Sequence, residues 1–204
     1  MHGRAAPLKM LLSHHGLDYE EIMLGEPEFH TMREEGLFEF DQLPVLELDG
    51  ERYPQSLSIL RMLGRMYGYY PMNIKEAFMI DSTMDYNMDI HDKFWPIEMT
   101  KVPEEKIKLE DEYYGTHLPK YLNKMENRLN QRSNGSKYLV GDKISIADFL
   151  LLGWAHMFVF NESCSASKQH LKVMKNHTIF SDYIHSVSED VREYLDNRPK
   201  GLPW

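Results

Sequence analysis

Two groups within Asp41 to Ser56, DQLPVLELDGERYPQS, are placed to bind a small acidic peptide. Pro44 stands just ahead of the apolar run Val45-Leu46-Glu47-Leu48. A proline before an edge strand donates nothing to the ladder, and in a tight turn it can be cis, so the peptide at Leu43 keeps a free N–H and C=O. Those groups can pair with a ligand amide as an added strand would. Gln55-Ser56 stands just ahead of Leu57, Leu60, Met62 and Leu63, whose spacing predicts a helix. The first N–H groups of a helix are unpaired and its dipole is positive there, which attracts a carboxylate. A ligand with one extended amide and one terminal carboxylate meets both features.

Other chemistry-bearing residues give weaker signals. Arg4 lies at the start of a predicted helix, where a cation opposes the dipole, so its placement points to a role beyond stability. Asp81, Asp85, Asp89 and Asp92 form an acidic stripe. Carboxylates four residues apart on a helix repel by a few tenths of a kcal/mol per pair, and a solvated face explains any single one of them. The ten histidines show no metal-ligand spacing, and the solitary Cys164 cannot build a zinc site. His14-His15 sits at a helix end, where a solvated C-terminal role is expected. No glycine-rich phosphate loop is present.

The elements that must position these groups follow from local signals. Asp49-Gly50 between Val45–Leu48 and Glu51–Tyr53 predicts a hairpin with a type I′ turn. Upstream, Pro7 suits a first helical turn, Leu8, Met10, Leu11 and Leu12 give an apolar face, and Gly16 is a stop. Tyr19 to Leu24 reads as a strand, and Glu26 to Glu35 as a short helix or irregular segment stopped at Gly36. A helix runs from Ser56 to about Tyr67, followed by the turn-rich linker Gly68-Tyr69-Tyr70-Pro71. Beyond it no convincing strand appears. Long helices are expected from Asn73 to about Phe94 and from about Glu104 to Arg132, the second ended by Ser133-Asn134-Gly135. Ser145 is an N-cap with Asp148 at the third helical position, and Ile144 and Phe149 are placed as a hydrophobic staple. That helix runs to about Phe158 and is apolar near its start, so it is expected to be buried. Further helices are expected at His170–Lys175 and Ile179–Leu195, with an irregular tail from Asn197 to Trp204. Tyr86, Phe94, Trp95, Trp154 and Met157 read as core, a few of them able to line an apolar pocket.

The stretch QLPVLELDG…QSLSIL resembles the glutathione-site core of cytosolic glutathione transferases. LVGDKISIADF resembles the buried capping motif of that family, and Gly3-Arg4-Ala5-Ala6-Pro7 its Gly-Arg-Ala-Glu-Pro opening. The resemblance covers nearly the whole chain. It is nearest to the sigma class, which includes haematopoietic prostaglandin D synthases and the S-crystallins, judged by Gly3-Arg4-Ala5 and the carboxylates of the first long helix. The resemblance implies an α+β thioredoxin-like N-terminal domain over residues 1–68, short of the fold's first strand. A linker at 69–72 and an all-α C-terminal domain over 73–204 follow. It implies a cytoplasmic homodimer that binds glutathione and conjugates it to an apolar electrophile. The alternative is a catalytically inactive member serving as a structural or assembly subunit, in a larger assembly.

The resemblance also assigns roles. A free thiol has a pKa of about 8.5, so a transferase working near neutrality must lower it. Arg4 is the expected source of positive potential at the thiolate. The tyrosine that the class uses as thiolate donor would fall before Met1, and no tyrosine precedes Tyr19. Gln42, Leu43 and Pro44 are expected to hold the cysteinyl backbone, and Gln55 and Ser56 the γ-glutamyl carboxylate. Phe29 and Arg33 fall where the class often has Trp and Lys reaching the glycyl carboxylate. Asp89 matches the carboxylate that reaches the partner subunit's glutathione amine. The dimer is expected through the helices carrying Arg61, Arg65, Asp81, Asp85 and Asp89, with the arginines meeting the stripe across a two-fold axis. Met88 replaces one carboxylate of a divalent-ion site found in some members, so no metal is expected.

Composition sets the outer limits. A chain of 204 residues makes one or two domains with ample core. A formal net charge of −9 with no offsetting basic patch argues against nucleic-acid or anionic-membrane partners. No apolar run is long enough to span a bilayer, and Leu8 to Leu12 is too short for a signal peptide. One cysteine, Cys164 in the loop-like NESCSAS, allows no internal disulfide and fits a reducing compartment. The N-x-S/T triplets at Asn134, Asn161 and Asn176 are then without consequence.

Overall fold

The type I′ hairpin forms as its local chemistry dictates. Asp49 and Gly50 take φ of 54° and 81°, the two positive values that turn requires. They join β1 (Val45–Leu48) to β2 (Glu51–Pro54) in an antiparallel pair with Leu48 opposite Glu51 and Val45 opposite Pro54. The computed structural model describes residues 3–132 and 135–199. The helix stop expected at Ser133-Asn134, the triplet at Asn134 and the tail beyond Pro199 lie outside them.

Around the hairpin stand α1 (Ala6–His15), α2 (Glu26–Glu34) and α3 (Ser56–Tyr67). Gly16 ends α1 in the left-handed region with φ 75°, and α2 starts with Glu28 bonding back to the Gly25 N–H. The expected strand at Tyr19–Leu24 does not form. Among the described residues the sheet has two strands, and neither pairs with this segment. Without a neighbouring strand the segment has no ladder to join, and Ile22 is left 74% exposed.

The remaining regular elements among the described residues are helices. They include α4 (Ile74–Met99), α5 (Pro103–Glu112), α6 (Leu118–Asn130), α7 (Ile146–Phe158), α8 (Ser167–Met174), α9 (Thr178–Ser188) and α10 (Arg192–Asn197). The chain therefore has a thioredoxin-like N-terminal part followed by an all-helical part. α4 begins where the Asn73 side chain accepts from the Lys75 and Glu76 N–H groups, and it runs a turn beyond the expected Phe94. Pro96 falls three residues from its end and does not break it. The single helix expected from Glu104 to Arg132 is interrupted by a π-helical turn at Tyr113–His117. Tyr113 and Leu118 are both buried. Five residues on a regular α-helix would set them about 140° apart, and the wider turn brings both inward. The expected helix Ile179–Leu195 likewise divides, at a short 3₁₀ turn over Glu189–Val191.

α7 is the centre of the core. It is buried almost throughout, as its apolar sequence predicts, and packs against α1, α4 and α9. Its start is fixed by the capping box: Asp148 accepts from the Ser145 N–H at 2.8 Å and from its hydroxyl at 2.7 Å. The same carboxylate accepts from the Leu139 N–H at 2.9 Å and from Tyr183 at 2.5 Å. Gly153 allows α1 to come close, since a Cβ there would lie 2.6 Å from Pro7 Cγ.

Candidate functional site

The turn into α1, the loop before β1 and the start of α3 bring the expected ligand-binding groups together. The Leu43–Pro44 peptide just ahead of β1 is cis, and Leu43 is 45% exposed. Gln55 takes φ 69° and ψ 101°, a left-handed value unusual for a residue with a side chain. Its amide donates to the Gln42 side-chain oxygen at 3.1 Å, tying the loop to the helix start. Ser56 opens α3, and its first N–H groups have no side-chain cap.

Ser56 and Leu57 share a small cleft of about 30 Å³ with Arg4 and Pro7 on the α1 side. Met88 and His91 of α4 and Trp154 and Met157 of α7 close its other wall. Arg4 is exposed and lies on the rim. His91 is largely buried, and burial, then the charge of Arg4, push its pKa down, against a pull upward from Asp92. It is therefore neutral near pH 7 and can donate or accept one hydrogen bond. Its Nδ1 and the Trp154 indole nitrogen are buried without a hydrogen-bond partner. The cleft thus offers one cation, a free helix start and a neutral imidazole against an apolar wall. Larger hollows of about 470 Å³ near Tyr194 and about 530 Å³ between α4 and α6 lie elsewhere.

The other expected site residues are placed apart from the cleft lining. Phe29 stacks on Phe38 with ring centres 5.5 Å apart, and the Arg33 guanidinium lies 5.9 Å above the Phe29 ring. Asp89 is exposed on α4. Arg61 has partners on the acidic stripe of its own chain. α3 and α4 are neighbours within one chain, so Arg61 reaches Asp81 at 2.7 Å and Asp85 at 3.3 Å in that chain. Arg65 sits 5.1 Å over the Tyr70 ring, and Tyr70 donates to Asp81 at 2.7 Å. His14 and His15 are not merely solvated, for both meet the Tyr69 hydroxyl, at 2.7 and 3.3 Å. Cys164 is buried in its loop. Among the described residues no three His, Cys, Asp or Glu side chains converge as a metal site, and no helix is long and apolar enough to cross a membrane.

His91 is the cleft residue that the sequence reading missed. Its one signal was helical spacing, three residues beyond Met88 and four beyond Asn87, both of which also line the cleft.

Comparison with known proteins matches residues 88–198 to the family described as "Glutathione S-transferase, C-terminal domain". "Glutathione S-transferase 2" of Manduca sexta is 31% identical over 196 residues, covering 94% of this chain and 90% of that protein. A solved glutathione S-transferase from Ascaris lumbricoides superposes with a TM-score of 0.85 at 24% identity, covering 100% of this chain and 96% of that one. A prostaglandin synthase D of Nilaparvata lugens superposes with a TM-score of 0.83 at 22% identity, over 98% and 94%. The last two share the fold.

Proposed function

Because this chain belongs to the glutathione S-transferase family, we propose that it binds glutathione in the cleft between Arg4 and Ser56 and conjugates it to an apolar electrophile. The observation that carries this reading is the convergence of the exposed Leu43–Pro44 peptide, the Gln42–Gln55 hydrogen bond and the uncapped start of α3. The ligand's cysteinyl amide and carbonyl pair with the Leu43 backbone. Its γ-glutamyl carboxylate sits at the N–H groups of Ser56, with Gln55 beside it. Arg4 supplies positive potential to the sulfur and favours the thiolate. The thiolate attacks the electrophilic carbon, a C–S bond forms, and the leaving group departs with the bond pair. The apolar wall of Met88, Trp154 and Met157 receives the electrophile.

Several finer assignments belong to the same proposal. Arg33, with Phe29 beneath it, is the cation for the glycyl carboxylate. The chain acts as a cytoplasmic homodimer of sigma-class type through α3 and α4, with Asp89 directed to the partner's glutathione and no metal required. Its glutathione-binding domain spans residues 1–68, its linker 69–72 and its helical domain 73–204. A second reading, a non-catalytic structural subunit, draws on one observation: among the described residues no tyrosine lines the cleft.

Calorimetry with glutathione, and conjugation of a generic aromatic electrophile on the same sample, separate the readings. The transferase reading expects binding and turnover, with binding lost in Gln55→Ala/Ser56→Ala. Binding without turnover favours the second reading's loss of catalysis. No binding, or retention by the double variant, discards the site.

A further inference from the structure

The hollow of about 530 Å³ between α4 and α6 has a chemistry unlike the rest of this acidic chain. Lys120, Lys124 and Arg128 follow one another at intervals of four along α6, so they share a face about 6 Å apart along the axis, and all three line the hollow. No carboxylate is among its lining residues. Acidic residues outnumber Lys and Arg 32 to 23 over the whole chain, and several cations elsewhere are paired with acids, such as Lys9 with Glu21, Arg61 with Asp81 and Lys137 with Asp190. Among the described residues Lys120 and Lys124 have no hydrogen-bond or ion-pair partner.

Arg128 is held in place by neutral groups alone. Its Nη1 donates to the Met79 carbonyl at 3.1 Å, the Ser82 hydroxyl at 3.0 Å and the Thr83 hydroxyl at 2.6 Å. Those bonds leave its charge uncompensated while burial pushes its pKa down. Three cations stacked at this spacing repel one another by a few tenths of a kcal/mol per pair. Asn127, Gln131 and the Tyr86 side chain add neutral donors around them. Asp89, the carboxylate that acts on Tyr86, is not in the lining. A row of cations with a fixed guanidinium, neutral donors and no acid is the donor set that phosphate groups select.

We propose that the α4–α6 groove binds an oligophosphate, free or carried by a nucleotide, on Lys120, Lys124 and Arg128. The site is separate from the Arg4–Ser56 cleft and does not depend on glutathione binding.

The test is calorimetry on the full chain with inorganic tripolyphosphate in one arm and adenosine triphosphate in the other, both without divalent metal. Saturable binding of one ligand per chain is expected, weakened at least tenfold in Lys120→Ala/Lys124→Ala. Arg128 is left intact because it ties α6 to α4. The variant Lys106→Ala/Lys108→Ala makes the same change of charge on α5 and is expected to bind as the wild type does. Equal binding in the two arms assigns recognition to the phosphates alone. Tighter binding of the nucleotide, lost in Tyr86→Leu, assigns the free ligand to the nucleotide class. Absence of saturable binding in both arms overturns the proposal, as does equal affinity in the Lys120/Lys124 variant. Displacement of tripolyphosphate by glutathione would place the anion in the Arg4 cleft and also overturn it.

Discussion

Replacing Gly153 by Ala sets two effects of opposite sign against each other at the contact that holds Arg4 in place. Gly153 is in the middle of α7, and alanine is the better helix former by roughly 0.8–1 kcal/mol. The new Cβ would meet Pro7 Cγ at 2.6 Å and Cδ at 2.9 Å. Carbon atoms pack at about 3.5–4.0 Å, so α1 must retreat by roughly 1 Å. The proline ring is rigid and cannot swing aside, and overpacking of this kind costs about 1–3 kcal/mol. The steric cost outweighs the propensity gain, leaving a net loss of up to about 2 kcal/mol. For a chain of this size that is roughly 4–8 °C in Tm. Gly115→Ala is the control, because a Cβ there meets nothing within 4 Å. It keeps only the propensity gain, so the two variants are expected to differ by about 1–3 kcal/mol in urea unfolding. Gly153 and Pro7 line the cleft with Arg4, so glutathione affinity is expected to fall several-fold in Gly153→Ala and to hold in Gly115→Ala. Equal stability of the two variants with unchanged binding would refute the reasoning. Pro7 would then yield without cost, and the close approach of α1 would not position Arg4.

Two further predictions concern the buried polar groups. Burial pushes His170 down to about 4, against the opposing pull of the Ala166 carbonyl. The unfolded chain, at about 6.5, then binds the proton first, so stability is full above that pH and is lost as pH falls towards 4, by about 3 kcal/mol at most. His170→Phe is expected to flatten this slope between urea midpoints at pH 7 and pH 4.5, and parallel slopes would show that His170 is not held neutral. Tyr183→Phe removes one of four donors to Asp148 and is expected to cost about 1.5–3 kcal/mol. Asp148→Ala strands all of them and is expected to cost more than about 4 kcal/mol. Denaturant unfolding that gives the two substitutions equal costs would contradict the shared-acceptor account.

What the sequence made legible was chemistry that acts over a few residues. Asp49-Gly50 sets its turn by backbone preference, and Ser145 and Asp148 close their capping box within one helical turn. These require no knowledge of what lies across the molecule. Tyr19–Leu24 has a strand's composition, but a strand is a property of two segments, and nothing within the segment says whether a neighbour is present. The same limit hid half of the cleft. Ser56 and Arg4 could be read from their own contexts, whereas α7 is apolar on every side, so periodicity cannot say that Trp154 and Met157 face the cleft. His91 is found by knowing which face of α4 meets α1.

The acidic stripe shows how packing redistributes a pattern that looks uniform. Asp81, Asp85, Asp89 and Asp92 are equivalent by spacing. In the fold, Asp81 is held by Arg61 and Tyr70, and these bonds lower its pKa despite the opposing effect of burial. Asp85 takes the second Arg61 contact, and Asp92 lies 3.9 Å from His91. Asp89 has no hydrogen-bond or ion-pair partner among the described residues. A second copy docking along α4 would have to break existing contacts to engage Asp81 or Asp85, at the cost of an arginine left unpaired. Asp89 can be engaged without that loss. If the chain forms a dimer with a carboxylate serving the opposite cleft, in-chain packing leaves Asp89 free for that task, and Asp89→Asn would weaken glutathione binding without disturbing the α3–α4 contact.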